Sequence, residues 1–427
     1  MDKTYYKSID ETVYHSITSN GLNVYIIKKE GFNSKSAYFA TRFGSFNTGD
    51  VINKDGNDIT LIGGLAHFLE HRVFDYKNQN VSDLYYKLGA DCNAYTSYDR
   101  TVYYFSTTNN FDECLALLLD YPTTFTMTKE AVENEKDIIV NELLMYKDDP
   151  NDKLYKGLMS SMYKEHPIRF DVGGEPEEVR STTIDLLELV HSTFYNPQNM
   201  VLVITGDVDI EKTIKKIENK KFKERRANHK RKKINESLEV INESKIIEAD
   251  VNNKKILMGY KLPTLDDVKE PLKSRIFVSL DLLTSLLFSP SSDFFKMMIE
   301  EKYVSSLSVD ILQYEGIFTL LIEADILKDE KSVVNKINEN LSKALEVIND
   351  EKLNSIKRKE IATIIKGSDS PEVLAKMFLT YVLDGINYCE MIDLIKSINI
   401  EDLKQAYVSY YKDAKYSYAL LKGKEND

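Results

Sequence analysis

The sequence has little cysteine and no long apolar run, and both absences narrow its class. Its 427 residues include three cysteines, Cys92, Cys114 and Cys389. These are too few and too scattered for a disulfide framework or a cysteine-based zinc site, and they read as reduced structural residues. No apolar stretch approaches the roughly 20 residues of a spanning helix, so no membrane insertion is expected. Met1 to Glu11 (MDKTYYKSIDE) lacks the basic and apolar regions of a secretory signal, which points to the cytoplasm. Positive charge is also in deficit: the net charge of -12 disfavours nucleic acid as a partner. What remains, 42% hydrophobic and 29% charged, is an ordinary globular composition. The length suits roughly two to three domains of about 150 residues each.

One segment departs from the average. Lys212 to Lys233 carries 12 Lys or Arg against Glu218 and Glu224, leaving the rest of the chain strongly acidic. Such blocks form solvated surface, so residues 221–240 read as a basic linker between domains 1–220 and 241–427. The two halves echo each other. Phe194 and Tyr195 lead into an apolar run from Val201 to Ile204 and then Gly206; Tyr410 and Tyr411 lead into Tyr416 to Leu421 and then Gly423. A second echo pairs SDLYYKL from Ser82 with SDFFKMM from Ser292. The slightly different offsets fit duplicated domains rather than a short-period solenoid.

Each half mixes strands with amphipathic helices. Leu22 to Lys28, Ser36 to Arg42 and Asn93 to Ser106 have β signals. Gly64 to Phe74 and Thr128 to Lys147 read as helices, the latter capped by Thr128 and ended by Asp148, Asp149 and Pro150. In the second half, Leu272 to Leu287 and Lys331 to Ile348 read as helices, and Lys254 to Lys261 and Gly316 to Ala324 as strands. The class is α+β: two similar sandwich domains, each a mainly antiparallel sheet with helices packed on it.

The chemistry concentrates in GGLAHFLEHRVF, Gly63 to Phe74. His67 and His71 lie one helical turn apart, where two imidazoles can hold one metal ion, and Glu70 points toward the same space. A catalytic zinc site usually takes three protein ligands and an open position, so a carboxylate must come from elsewhere. Glu135 and Glu142 share one face of the helix ending at Lys147. Glu142, set among Ile138, Ile139, Val140, Leu143 and Leu144, would be costly to bury without a cation, which makes it the candidate third ligand. Glu135 could orient a ligating histidine through its second ring nitrogen.

GGLAHFLEHRVF, then NAYTSYDRTVYYFS, then ENEKDIIVNELLMYKDDP resemble the metal-binding half of the pitrilysin/insulinase zinc peptidases. The likeness is greatest to half-size bacterial members related to the mitochondrial processing peptidase subunit that carries the metal. The resemblance implies that His67, His71 and Glu142 bind one Zn2+, with Glu70 as the general base toward zinc-bound water. It also implies that Asn93, Ala94, Tyr95, Thr96 and Ser97 form an edge strand that pairs with substrate backbone. The implied activity is that of an endopeptidase working on peptides inside a chamber, with leader-peptide or small-peptide maturation as one task.

Self-sufficient members carry an arginine and, seven residues on, a tyrosine in the second half. The matching stretch, Ser289 to Asp310 (SPSSDFFKMMIEEKYVSSLSVD), has no arginine. Ile299 or Glu300 stands at the arginine position and Ser306 or Leu307 at the tyrosine position, with Tyr303 displaced. A heterodimer with a related subunit supplying the Arg/Tyr pair is therefore expected, with a homodimer as the alternative. The other functional alternative is a non-catalytic, peptide-binding subunit of a processing complex.

Overall fold

The computed structural model describes residues 1–222 and 228–424. The chain forms two compact units: Met1–Leu144 with Phe170–Lys233 and Ile365–Glu390, and Met145–Arg169 with Ile234–Ile364 and Met391–Asp427. The contiguous halves 1–220 and 241–427 are thus each crossed by a segment that packs in the other unit. Of the expected linker 221–240, residues 223–227 lie outside the described residues.

The first unit is built on β1 (Asp2–Tyr6), β2 (Glu11–Ile17), β3 (Asn23–Lys28) and β4 (Lys35–Thr41), followed by the hairpin β5 (Val51–Lys54) and β6 (Asn57–Thr60). Helix α1 (Leu65–Val73), the two-residue strands β7 (Asp75–Tyr76) and β8 (Gln79–Asn80), and α2 (Val81–Lys87) lead to β9 (Ala90–Thr96) and β10 (Thr101–Thr107). After α3 (Phe111–Asp120) and α4 (Lys129–Asp148), the chain returns through β11 (Met200–Gly206). The seven-stranded sheet has the order β1-β2-β3-β11-β4-β10-β9, with β11 parallel to β3 and every other pair antiparallel. Its all-buried central strand β11 is the apolar run of Val201 to Ile204 extended at both ends, as a strand covered on two faces requires. Val24, Ile26, Leu202, Ile204 and Phe39 join Phe68, Leu69, Leu115 and Leu118 in one core. β12 (Asn228–Lys230) pairs with β5, so the end of the basic segment is an ordered strand rather than a tether. Its His229 lies 2.7 Å from the buried Asp50 carboxylate.

The second unit repeats five of the seven positions, those from β3 to the edge strand β9. Its strands are β13 (Ser244–Ala249), β14 (Lys254–Lys261), β15 (Val304–Tyr314), β16 (Ile317–Ile326) and β17 (Lys415–Gly423), in the order β13-β17-β14-β16-β15. Here β17 is parallel to β13 and antiparallel to β14, as β11 is to β3 and β4.

Two helices cross between the halves of the sequence. Asp149 accepts hydrogen bonds from Asn151 N and Asp152 N and, with Pro150 at the first position, starts α5 (Pro150–Met162) directly after α4. α5 lies on the second sheet, where Gly259 leaves room for Leu158 and Met162. In return α14 (Pro371–Leu383) lies on β11 and β4 of the first sheet. Phe378 meets Tyr25, and the Thr205 hydroxyl donates to Pro371 O at 2.5 Å. Tyr25 and Thr205 alternate with the core residues Val24, Ile26 and Ile204, so α14 covers the face opposite the core. Arg42 and Arg100 donate to Leu383 O and Thr380 O at its C-terminal end, where positive charge suits the exposed carbonyls.

Candidate metal and catalytic site

The site is assembled within the first unit from α1, α4 and β9. Gly64, at φ 78°, starts α1 in a left-handed conformation, and a Cβ there would collide with the Gly173 carbonyl. Gly63 N donates to Glu178 Oε1 at 2.8 Å. Gly174, at φ 79°, packs on Gly63, so two Gly-Gly pairs fix where the helix begins.

From that start His67 and His71 project together, their Nε2 atoms 3.0 Å apart. Glu142 of α4 presents Oε2 at 3.2 Å from His71 Nε2 and Oε1 at 3.8 Å from His67 Nε2. Among the described residues these three are the one group of His, Cys, Asp or Glu able to hold a metal ion. Ligands placed tetrahedrally about 2.0–2.1 Å from zinc stand about 3.3 Å from one another. Two imidazole nitrogens and a carboxylate at 3.0, 3.2 and 3.8 Å lie near that spacing, and all three side chains are partly exposed.

The neighbours tune this group. Glu135 Oε1 lies 3.1 Å from His71 Nδ1, and Arg72 donates to Glu135 Oε2 at 2.6 Å and to Asp75 at 2.7 Å. Burial raises the Glu135 carboxyl, but the hydrogen bonds from His71 and Arg72 outweigh it and hold the group below its ordinary range. Burial likewise depresses His71, while Glu135 and Glu142 more than offset this and raise it. His67 is lowered, by burial first and then by the adjacent His71. Glu70 is raised by burial, against the Thr96 hydroxyl, which donates to its Oε2 at 2.6 Å.

The structure therefore brings His67, Glu70, His71, Glu135 and Glu142 together. The stretch around Glu142 is not apolar throughout: Ile139, Val140 and Leu143 are buried, while Ile138 and Leu144 are exposed, because α4 turns only one face to the core. Asn93, Ala94, Tyr95 and Thr96 lie on β9, the outer strand of the sheet beyond β10. Ser97 does not: its N–H donates to Arg100 O and its carbonyl accepts Ser45 N, so it belongs to the turn. Asn93 Oδ1 accepts the Ala94 N–H at 2.8 Å. In the second unit, α10 (Asp293–Glu300) holds Ile299 and Glu300, and β15 holds Ser306 and Leu307. Ser306 donates to Asp325, Leu307 is buried, and Tyr303 lies under Lys328 in the turn between.

Thr96 as a support of Glu70, Arg72 as a support of Glu135, and the 171–174 loop behind His67 were not read from the sequence. The doublets Gly63-Gly64 and Gly173-Gly174 were the available signal for the last.

An α+β duplication with a paired-histidine helix is the architecture of a known peptidase family, and the comparisons agree. Residues 57–173 match the insulinase family, peptidase family M16, and residues 181–360 match the peptidase M16 inactive domain. The chain is 34% identical to YmfH of Bacillus subtilis (strain 168), described as an uncharacterized zinc protease, over 93% of this chain and 94% of that one. It belongs to the insulinase family, peptidase family M16. A crystal structure of a protein described as M16-like from Alicyclobacillus acidocaldarius superposes with a TM-score of 0.90 at 26% identity, covering 97% of this chain and 99% of the other. A protease from Helicobacter pylori shares the fold, with a TM-score of 0.79 at 20% identity over 96% and 99% of the two chains. Among the described residues no helix is long and apolar enough to cross a membrane.

Proposed function

We propose that this chain is a zinc-dependent endopeptidase that hydrolyses peptides. The observation that carries the reading is the convergence of His67, His71 and Glu142 at zinc-ligand spacing beside a half-buried Glu70. A zinc ion held by those three groups supplies Lewis acidity toward water and the scissile carbonyl. Glu70, held by Thr96, takes the proton of the attacking water and delivers it to the departing amine nitrogen; its raised affinity for protons suits both steps. Glu135 fixes the His71 ring with Nε2 free to ligate. The outward edge of β9 receives an extended peptide as an added strand, so affinity comes mostly from backbone rather than side chains.

A related, non-identical subunit supplies the arginine and tyrosine that Ser289 to Asp310 lacks at the matching positions, where Ile299 or Glu300 and Ser306 or Leu307 stand. A homodimer using other donors is the alternative assembly. A peptide-binding subunit without turnover of its own is the second functional reading, favoured by the same missing pair. The absence of disulfides among Cys92, Cys114 and Cys389 supports a cytoplasmic location.

The test is cleavage of a pool of peptides about 10 to 40 residues long by the zinc-loaded chain, with and without chelator, read by mass spectrometry. Chelator-sensitive products from the chain alone establish a self-sufficient peptidase and overturn the need for a second subunit. Uptake of zinc without cleavage, relieved by a co-transcribed family member, supports the heterodimer; no relief by any partner favours the peptide-binding reading.

A further inference from the structure

The basic segment turns inward, onto the first unit. Lys212 pairs with Asp112 and Lys220 with Asp120, both on α3, and Lys216 donates to Asp112 O. The end of the segment reaches a buried acid, Asp50, which is 1% exposed. A carboxylate so placed is costly unless it is fully bonded, and three donors converge on it. His229 Nε2 and Asn47 Nδ2 meet Oδ2 at 2.7 and 2.8 Å, and Lys232 N meets Oδ1 at 2.7 Å. A carboxylate only accepts, so His229 carries a proton on Nε2. The pairing of β12 with β5, which begins one residue after Asp50, keeps the ring in place.

The line of bonds continues to β9. Asn47 Oδ1 accepts the Gly44 N–H at 3.0 Å, and the next two amides, Ser45 N and Phe46 N, donate to Ser97 O at 3.2 Å and Tyr98 O at 2.7 Å. A Cβ on Gly44 would lie 2.5 Å from both of those carbonyls, so the 44–46 turn sits flush on the chain as it leaves β9. Phe46 also stacks on Tyr98, with ring centroids 5.0 Å apart.

We propose that His229 is a positioning residue for peptide binding: by bonding Asp50 it locks the 44–50 turn, and through that turn it holds the end of β9 in the extended form that an added strand needs. This rests on the reading of β9 as the peptide-pairing strand. The end of the basic segment is then a strap that serves the first unit from within. His229 acts on the peptide only through Asp50, Asn47 and the turn.

The test uses the full zinc-loaded chain carrying Glu70→Gln, which removes turnover, and a fluorescein-labelled peptide of casein, read by anisotropy. His229→Ala should weaken binding by about 10-fold, the worth of one hydrogen bond to a charged partner, at unchanged zinc stoichiometry. His229→Gln, whose amide offers Asp50 a donor at similar reach, should restore the affinity. Hydrogen exchange supplies a second readout: in His229→Ala the Ser45 and Phe46 amides should exchange faster while those of β11 keep their rate. Should His229→Ala be too unstable to assay, Asn47→Ala breaks the same path one link on, leaves Asp50 two donors, and must show the same weakening. Unchanged affinity in the alanine variant overturns the proposal, as does a loss that His229→Gln fails to restore. Absence of peptide binding by the parent chain overturns the reading of β9 and this proposal with it; binding indifferent to His229→Ala overturns this proposal alone.

Discussion

The two units share a strand order but use their first helix differently. In the first unit α1 follows β4 and the β5–β6 hairpin, and in the second α9 (Leu272–Phe288) follows β14; each is succeeded by a short helix and then the outer strand, β9 or β15. α1 turns His67, Glu70 and His71 toward partly open space beside α4. The matching part of α9 is filled by Val278, Leu280, Leu282, Leu283, Leu286 and Leu287, all buried. One duplicated scaffold thus offers the same position twice, and it carries polar chemistry in one copy and packing in the other. The fold supplies the place; a handful of side chains decide what is done there.

The largest effect that would break this comparison is chemical. Glu70→Gln should lower peptide cleavage by about 10²- to 10⁴-fold while zinc stoichiometry is retained, because Glu70 is not among the three metal-facing groups. Equal loss of zinc and activity would mean that α1 works as a single structural block, as α9 does. The converse change is in packing: Leu283→Ala, at a fully buried site, should cost about 2–5 kcal/mol in unfolding experiments and leave zinc uptake unaltered.

A finer test uses Asp281, the carboxylate that α9 retains. Burial first, then Glu360 and Asp310, push it up to about 6. A carboxyl raised in the folded state binds protons more tightly there than when unfolded, so stability is lost as pH rises through about 4 to 6 and is regained on acidification. Asp281→Asn should therefore stabilise the chain by about 1–3 kcal/mol above pH 7, a gain that vanishes near pH 4, as read from chemical denaturation at the two pH values. The smallest expected effect is at the helix after α9. Ser292 accepts the Phe295 N–H at 3.1 Å as the cap of α10, and Ser292→Ala should cost about 1 kcal/mol without touching the first unit.

Much of this was legible in the sequence because it is written in local periodicity. The one-turn spacing of His67 and His71 and the seven-residue spacing of Glu135 and Glu142 are properties of a helix alone, and the structure brings all four together. Thr128 caps α4 through Ala131 N, and the echo of Phe194-Tyr195 in Tyr410-Tyr411 precedes β11 in one unit and β17 in the other. What was illegible depends on long-range packing. Nothing local distinguishes α5 or α14 from any amphipathic helix, so the contiguous halves missed the crossing of 145–169 and 365–390. Ser97 reads as strand, yet the return of the chain at Arg100 takes its N–H into a turn. The contact of Thr96 with Glu70 joins a strand to a helix 26 residues earlier, a distance no periodicity spans.

The exchange of α5 and α14 also sets a timetable for the newly made chain. The first sheet has all its strands once β11 has been synthesised, but its outer face stays bare until α14 emerges some 165 residues later, about 8–33 s at the usual 5–20 residues per second. The second sheet receives α5 early yet lacks β17, the strand between β13 and β14, until nearly the last residue. All three candidate metal ligands precede residue 143 and the first unit gains its last segment at Glu390, whereas β17 begins only at Lys415, so the unit that carries the cluster has its full chain about 25 residues before the other does.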